Sequence, residues 1–392
     1  MMLMVILFVF LYLPLHQMKE EEIKCPVVCH CLNKTVAICK DLKIDGVNAT
    51  SEWKFEAGLE IFDFSGNKLD LSEYTLGAWR VWHLQSFNLS GNNILNITKF
   101  TFFGFSKLEN LDLSRNNITE IDCEAFESTV SVVFLRLRSN RLTAICPYTF
   151  SVLEHLRYLD LSNNMISSIL PETFHTISVL EWLSLANNIL TEIPQDTLRL
   201  HRHLRHLDLS NNMISSILPE TLHTISVLEW MSLANNSLTE IPPDTLLLLR
   251  HLRHLDLSDN MLSFIHPVTL HQNYDLEWLS LANNRLTEIH AVTLRLLRNL
   301  RYLDLSNNMI SSIHPDTLHQ NSDLEWLSLA NNRLTEIHAV TLRLLRHLRY
   351  LDLSNNMISS IHPDTLHNNS VLEWLSLANN RLTEIHPLIF LF

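Results

Sequence analysis

From Leu84 onward the chain repeats itself every 24 residues without a slip. The leading apolar position of each copy is Leu84, Leu108, Val132, Leu156, Leu180, Leu204, Leu228, Leu252, Leu276, Leu300, Leu324, Leu348 and Leu372, and one further copy begins at Leu59. Residues 59–392 therefore read as fourteen units, the last cut short. A unit this small cannot enclose a core. It buries an apolar face only by stacking on its neighbours, so a chain of 392 residues need not divide into compact domains.

Each unit follows L-x-x-L-x-L-x-x-N-x-L-x-x-I, as in LRYLDLSNNMISSI from Leu300. In L-x-L the two leucines point inward and the residue between them points out, because strand side chains alternate. Successive strands then stack as a parallel sheet with a spacing of about 4.8 Å. Where each strand ends, backbone groups lose their ladder partners, and a buried Asn can bond them. Asn67, Asn92, Asn116, Asn140, Asn164, Asn188, Asn212, Asn236, Asn260, Asn284, Asn308, Asn332, Asn356 and Asn380 occupy that place. A second apolar column, Phe102, Phe126, Phe150, Phe174, then Leu198 through Leu366, and Phe390, is predicted to stack under the opposite side.

Residues 1–15 form an apolar run too short for a comfortable membrane span, so residues 1–20 are expected to be a signal peptide, with a retained membrane anchor as the alternative. Of the six cysteines, Cys25, Cys29, Cys31 and Cys39 crowd together as C-x3-C-x-C-x7-C, and Cys123 and Cys146 lie one repeat apart. Behind a signal peptide an even count points to disulfides, and a zinc site is the alternative for the first set. Sequence alone permits three pairings within that set. Cys123 and Cys146 are offset by one residue in adjacent repeats, and are predicted to pair.

These features resemble the animal extracellular leucine-rich-repeat family, which includes Toll-type receptor ectodomains, Slit and chaoptin. The 24-residue period, the Phe column and the CPVVCHC segment carry the resemblance over residues 25–392. It implies an α/β leucine-rich-repeat solenoid, a curved horseshoe with a parallel β-sheet on its concave face and loops with short 3₁₀ or helical turns on its convex face. It also implies a cysteine-rich cap over residues 25–58, with pairs Cys25–Cys31 and Cys29–Cys39. Two departures stand out: the sequence ends at HPLIFLF with no second cysteine-rich cap, and it carries no evident membrane span, lipid-anchor tail or signalling domain beyond the repeats.

The composition excludes several chemistries. The net charge of −13 disfavours nucleic acid, which needs a basic surface. No glycine follows Gly104, so phosphate-cradling loops and nucleophile elbows have no place in the array. No catalytic, cofactor or metal constellation escapes the repeat pattern, and none is expected.

The repeats alternate between two types, making a 48-residue unit; residues 276–323 and 324–371 differ only at Asn299/His347, Gln320/Asn368 and Asp323/Val371. Such copying yields regular surface columns. On the inner face, after Phe134, lie Tyr158, Trp182, His206, Trp230, His254, Trp278, Tyr302, Trp326, Tyr350 and Trp374. Aromatic residues are enriched at interface hot spots, so this strip is the candidate partner-binding surface. The rival reading is that the rings merely stack and stiffen the sheet.

Beside the strip Arg157, Glu181, Arg205, Glu229, Arg253, Glu277, Arg301, Glu325, Arg349 and Glu373 alternate in sign, which reads as a structural ladder. Asp160, Asp208, Asp256, Asp304 and Asp352 alternate with Ser184, Ser232, Ser280, Ser328 and Ser376. His266, His290, His314, His338, His362 and His386 share a convex column, more readily an edge propagated by copying than a metal or pH site. Sequons at Asn33, Asn48, Asn88, Asn96, Asn117, Asn235 and Asn368 are candidate glycosylation sites, and sugar on Asn88 would shift binding toward residues 130–380.

The functional expectation is a secreted or cell-surface protein-binding module in adhesion, matrix or innate immune recognition, holding a protein ligand or receptor on its concave face. The alternative is the ectodomain of a membrane-anchored Toll-like or adhesion receptor. An enzyme is not expected.

Overall fold

The computed structural model describes residues 26–32, 35–44, 58–71, 76 and 81–383. The expected signal peptide, Cys25, Asn33, Asn48, His386 and Phe390 lie outside the described residues.

A sixteen-stranded sheet runs the length of the described array. It opens with an antiparallel pair, His30–Leu32 against Val36–Ile38. From Ile61–Asp63 onward every strand of this sheet pairs in parallel with the sheet's next, while Asn96–Ile97 and Glu120–Ile121 form a separate two-stranded parallel pair. The register never shifts: Tyr158 faces Trp182, Trp182 faces His206, and so on to Trp374. From Ile61–Asp63 to Tyr350–Asp352 each strand of the sheet is three residues long with its middle residue buried, as in Tyr158–Asp160 and Trp182–Ser184. Leu159, Leu183, Leu207, Met231 and their successors fill the core, while the residues on either side face out.

The asparagine column closes each strand. Asn212 Nδ2 donates to the carbonyls of Leu209 and of Leu185 one repeat earlier, both at 3.0 Å. Its Oδ1 accepts the Leu190 N–H at 3.0 Å. One buried side chain thus satisfies three backbone groups across two repeats. The same pattern holds at Asn164, Asn236, Asn260, Asn284, Asn308, Asn332 and Asn356.

The residue just before each of these asparagines is left-handed, with φ of 54° at Asn163 and 55° at Asn283. Most L-residues resist that conformation, and Asn and Asp tolerate it best. This explains the Asn-Asn doublet, whose first member turns the chain and whose second bonds it.

The two sides of the solenoid are spaced differently, and the difference is its curvature. Ring centroids on the sheet face from Tyr158 to Trp374 are 3.9–5.0 Å apart. Buried Phe102, Phe126, Phe150 and Phe174, toward the opposite side, are 6.1–6.3 Å apart. Successive repeats thus stand farther apart behind the sheet than across it, which makes the sheet face concave. The convex side carries short turns, such as Pro219–Leu222, Ala291–Arg295 and Ala339–Arg343.

Cys29 and Cys39 form a disulfide with a Cα separation of 4.4 Å, and Cys31 is also disulfide-bonded. Cys123 and Cys146 form another at 5.4 Å. Among the described residues, no helix is long and apolar enough to cross a membrane.

Candidate functional site

The concave face is built in columns, each supplied by one position of the repeat. The aromatic column is continuous: from Tyr158 to Trp374 each ring stacks on the next with interplanar angles of 2–14°. Its first member, Phe134, is tilted against Tyr158. Neighbouring rings cover one another's faces, so the column presents its edges outward. Edges carry the positive part of the ring quadrupole and, in Trp, the indole N–H. Arg136, whose guanidinium lies 5.1 Å from the Tyr158 ring centroid, joins the first part of the stack.

The column is not uniform. Tyr158–Trp182, His206–Trp230, His254–Trp278, Tyr302–Trp326 and Tyr350–Trp374 are 3.9–4.1 Å apart, whereas the intervening steps measure 4.7–5.0 Å. The ion pairs follow the same grouping. Arg157 bonds Glu181 and Arg205 bonds Glu229, as do Arg253 with Glu277 at 3.1 Å, Arg301 with Glu325 at 3.2 Å, and Arg349 with Glu373. Rings and charges therefore pair in the same frame, each repeat of the LRYLDL type with the LEWLSL-type repeat that follows it. A shallow cleft of about 250 Å³ between two such units is lined by Arg205, Val227, Glu229, His251, Arg253 and Asp275. It is smaller than the usual 300–1,000 Å³ of small-molecule sites.

The aspartates close the turn after each strand. Asp208 Oδ1 accepts the Ser210 N–H at 3.0 Å and the Ser210 hydroxyl at 2.7 Å. Asp160 and Asp256 do the same with Ser162 and Ser258, while Asp304 and Asp352 accept the N–H of Ser306 and Ser354. In alternate repeats Ser184, Ser232, Ser280 and Ser328 accept from the Ala two residues on. The next outward column is small throughout: Ser162, Ala186, Ser210, Ala234, Ser258, Ala282, Ser306, Ala330, Ser354 and Ala378. The concave face is thus an aromatic ridge beside a low polar shelf.

Burial shapes the titration of the ridge. It holds the Tyr158, Tyr302 and Tyr350 hydroxyls above their usual range, and the carboxylate two residues on adds to this in each case. His206 is pushed down to about 4, by burial first and then by the charge of His254. His254 is lowered by burial against the opposing pull of Asp256. Burial also raises Asp304, opposed by its Ser306 bonds. At neutral pH both imidazoles are uncharged.

Other sequence-derived candidates resolve individually. On the convex side, His266, His290, His314, His338 and His362 each accept the N–H two residues on through Nδ1, capping the turn. Among the described residues no group of three or more His, Cys, Asp or Glu is placed to hold a metal. His201 is fully buried. Of the sequons, Asn96, Asn235 and Asn368 are exposed, whereas Asn88 and Asn117 are half-buried. Asn88 lies on the concave face, where its Oδ1 accepts the Ser90 N–H at 3.0 Å, taking the role of the aspartates.

Sequence reasoning missed a second asparagine column. Asn273, Asn321 and Asn369, fully buried, donate to carbonyls of the preceding repeat, as Asn273 does to Leu246 and Leu249. Their recurrence every 48 residues was the available signal.

Six overlapping matches to the leucine rich repeat family span residues 83–142, 134–190, 178–238, 226–286, 274–334 and 322–382. This chain belongs to the leucine-rich-repeat family. No curated protein sequence matches the chain. Among solved structures, this leucine-rich-repeat chain is similar to a leucine-rich-repeat protein of Leptospira interrogans, at 27% identity and a TM-score of 0.77, over 85% of this chain and 81% of that one. It is similar to a plant peptide hormone receptor, RGFR1, in complex with RGF2, at 27% identity and a TM-score of 0.63, over 83% of this chain and 55% of that one. A chain of the Drosophila Toll–Spatzle complex shares the fold at 23% identity and a TM-score of 0.76, over 87% of this chain and 46% of that one.

Proposed function

We propose that this leucine-rich-repeat chain is a secreted or cell-surface module that holds a protein partner on its concave face, and that it is not an enzyme. The observation that carries the reading is the continuous ridge of half-buried rings from Tyr158 to Tyr350, ending in the exposed Trp374. Its backbone is fixed by paired strands and buried asparagines, so little order remains to be gained on binding. Ordered aromatic edges in a curved surface suit a large partner better than a small molecule.

The disulfides support an oxidising, extracellular setting; a signal peptide over residues 1–20 and glycans on Asn33, Asn48, Asn88, Asn96, Asn117, Asn235 and Asn368 belong to the same proposal. The likeness to a plant peptide hormone receptor solved with RGF2 favours a second reading, the ectodomain of a membrane-anchored receptor. The cap over residues 25–58 and the kinship with animal extracellular members belong to the same proposal.

The test is capture of partners from extracellular material by the full chain and by a Trp230→Ala, Trp278→Ala, Trp326→Ala variant with an unchanged far-ultraviolet spectrum. Loss of the captured protein from the variant is the expected outcome. Undiminished capture removes the concave face as the binding surface. Cell fractionation with N-terminal sequencing separates the two readings, because loss of about the first 20 residues from soluble protein supports secretion.

A further inference from the structure

We infer that the partner of the concave face is a basic polypeptide segment, extended across the strands and carrying Lys or Arg at about every third residue. The inference rests on the concave-face reading above and adds the chemistry of what lies there.

From Tyr158 to Ser376 the outward strand positions carry the half-buried Asp208, Asp256, Asp304 and Asp352 and the buried Asp160, and no Lys or Arg; His206 and His254 are there but uncharged at neutral pH. The adjacent shelf of Ser and Ala is uncharged. The Arg–Glu ladder beside the ridge pairs internally, five with five, and leaves no surplus to offset the aspartates. The face therefore attracts cations and repels polyanions, whether nucleic acid, sulfated polysaccharide or acidic lipid.

The stacked ridge narrows the form of that cation. A ligand held by ring faces has little access, because neighbouring rings occupy those faces. What remains is a wall of edges beside a row of carboxylates. A Lys or Arg side chain fits both, its aliphatic stem along the edges and its charged head at the aspartate. The low Ser and Ala shelf leaves room for the backbone of the segment.

Spacing completes the argument. Asp recurs on every second strand, so consecutive carboxylates stand roughly 9–10 Å apart along the face. A polyproline-type segment rises about 3.1 Å per residue with three residues per turn, which brings every third side chain to one face at about 9.3 Å. An ordinary β-strand repeats a face at about 6.6–6.8 Å and loses register within two carboxylates.

The test uses fluorescently labelled fifteen-residue peptides and the full chain, read by anisotropy at low salt. The probes are five Lys-Pro-Pro repeats, five Glu-Pro-Pro repeats, and a block peptide of the same Lys and Pro content with its lysines adjacent. The variant is Asp208→Asn, Asp256→Asn, Asp304→Asn, Asp352→Asn. Asn88 already fills the equivalent place and accepts the same turn N–H, so the substitution keeps that backbone hydrogen bond and removes the charge.

The expected result is binding of the spaced Lys peptide, severalfold tighter than the block peptide, with no binding of the Glu peptide. The variant is expected to weaken it by about tenfold or more, and added salt to weaken it further. Equal binding of the block peptide, binding of the Glu peptide, or an unaffected variant each overturns the proposal. If the tryptophan variant loses its natural partner while the asparagine variant keeps it, the basic segment is wrong and the concave face stands. If neither variant loses it, the concave face falls as well.

Discussion

His201 shows at the scale of one residue what a repeat tolerates. Its column is otherwise filled by Phe105, Leu153, Ile177, Ile225, Leu249, Leu297 and Leu345, or by the bonded Thr129, Asn273, Asn321 and Asn369. It is fully buried against the edge of Phe174, and neither of its ring nitrogens has a hydrogen-bond partner. Burial lowers it to about 4. Because the folded value is depressed, the unfolded chain binds the proton first as pH falls. The native state keeps its full stability above about 6.5 and loses on the order of 3 kcal/mol between there and about 4. His201→Leu is expected to be more stable than the parent, by a margin flat above pH 7 and growing as pH drops toward 4. Urea titrations of both proteins at several pH values measure it; a margin constant with pH would show that His201 does not titrate in this window.

At the scale of the element, the operative unit is two repeats, since close ring pairs and ion pairs share one boundary. Deleting residues 276–323 joins Asp275 to Leu324 and keeps the alternation, bringing His254 to Trp326 and Arg253 to Glu325. Deleting only residues 276–299 instead sets Arg253 beside Arg301 and Asp256 beside Asp304. The shorter deletion is expected to lower the melting temperature more than the longer one, although it removes half as much core. Each lost or reversed pair costs about 0.2–1 kcal/mol, and added salt narrows the gap. Thermal melts at two salt concentrations decide it, and equal melting temperatures would mean the pairing is only a by-product of copying. Much of this level was legible in sequence: the columns, the aromatic strip and the Asn that closes each strand follow from period and alternation. What was not legible depends on contacts between repeats. The alphabet shows Tyr158 and Trp182 in one column, but not that their faces are spent on each other. It shows that Asn164 bonds the core, but not that Asn163 before it takes the left-handed turn. It shows the Asp208 column, but not that each aspartate also closes its own turn.

The whole molecule is a linear stack, and its cooperativity is set by nearest neighbours rather than by one core. A defect should therefore act according to where it falls. Asn260 sits mid-array and bonds the carbonyls of Leu233 and Leu257 and the N–H of Leu238. Asn92 holds the equivalent groups near the start, the carbonyls of Phe64 and Leu89 and the N–H of Leu69. Either change to Ala strands three buried backbone groups, a local cost of about 3 kcal/mol or more. Were the array one compact domain, the two variants would lower its stability alike. In a stack, Asn260→Ala weakens the junction between two long halves and is expected to split unfolding into two transitions. Asn92→Ala leaves the longer run of repeats after it uninterrupted, and is expected to keep one main transition with early loss of the first strands. Hydrogen exchange read by mass spectrometry distinguishes these outcomes. Uniform loss of protection along the chain in both variants would mean that coupling between repeats outweighs the local defect, and that the solenoid behaves as one folding unit.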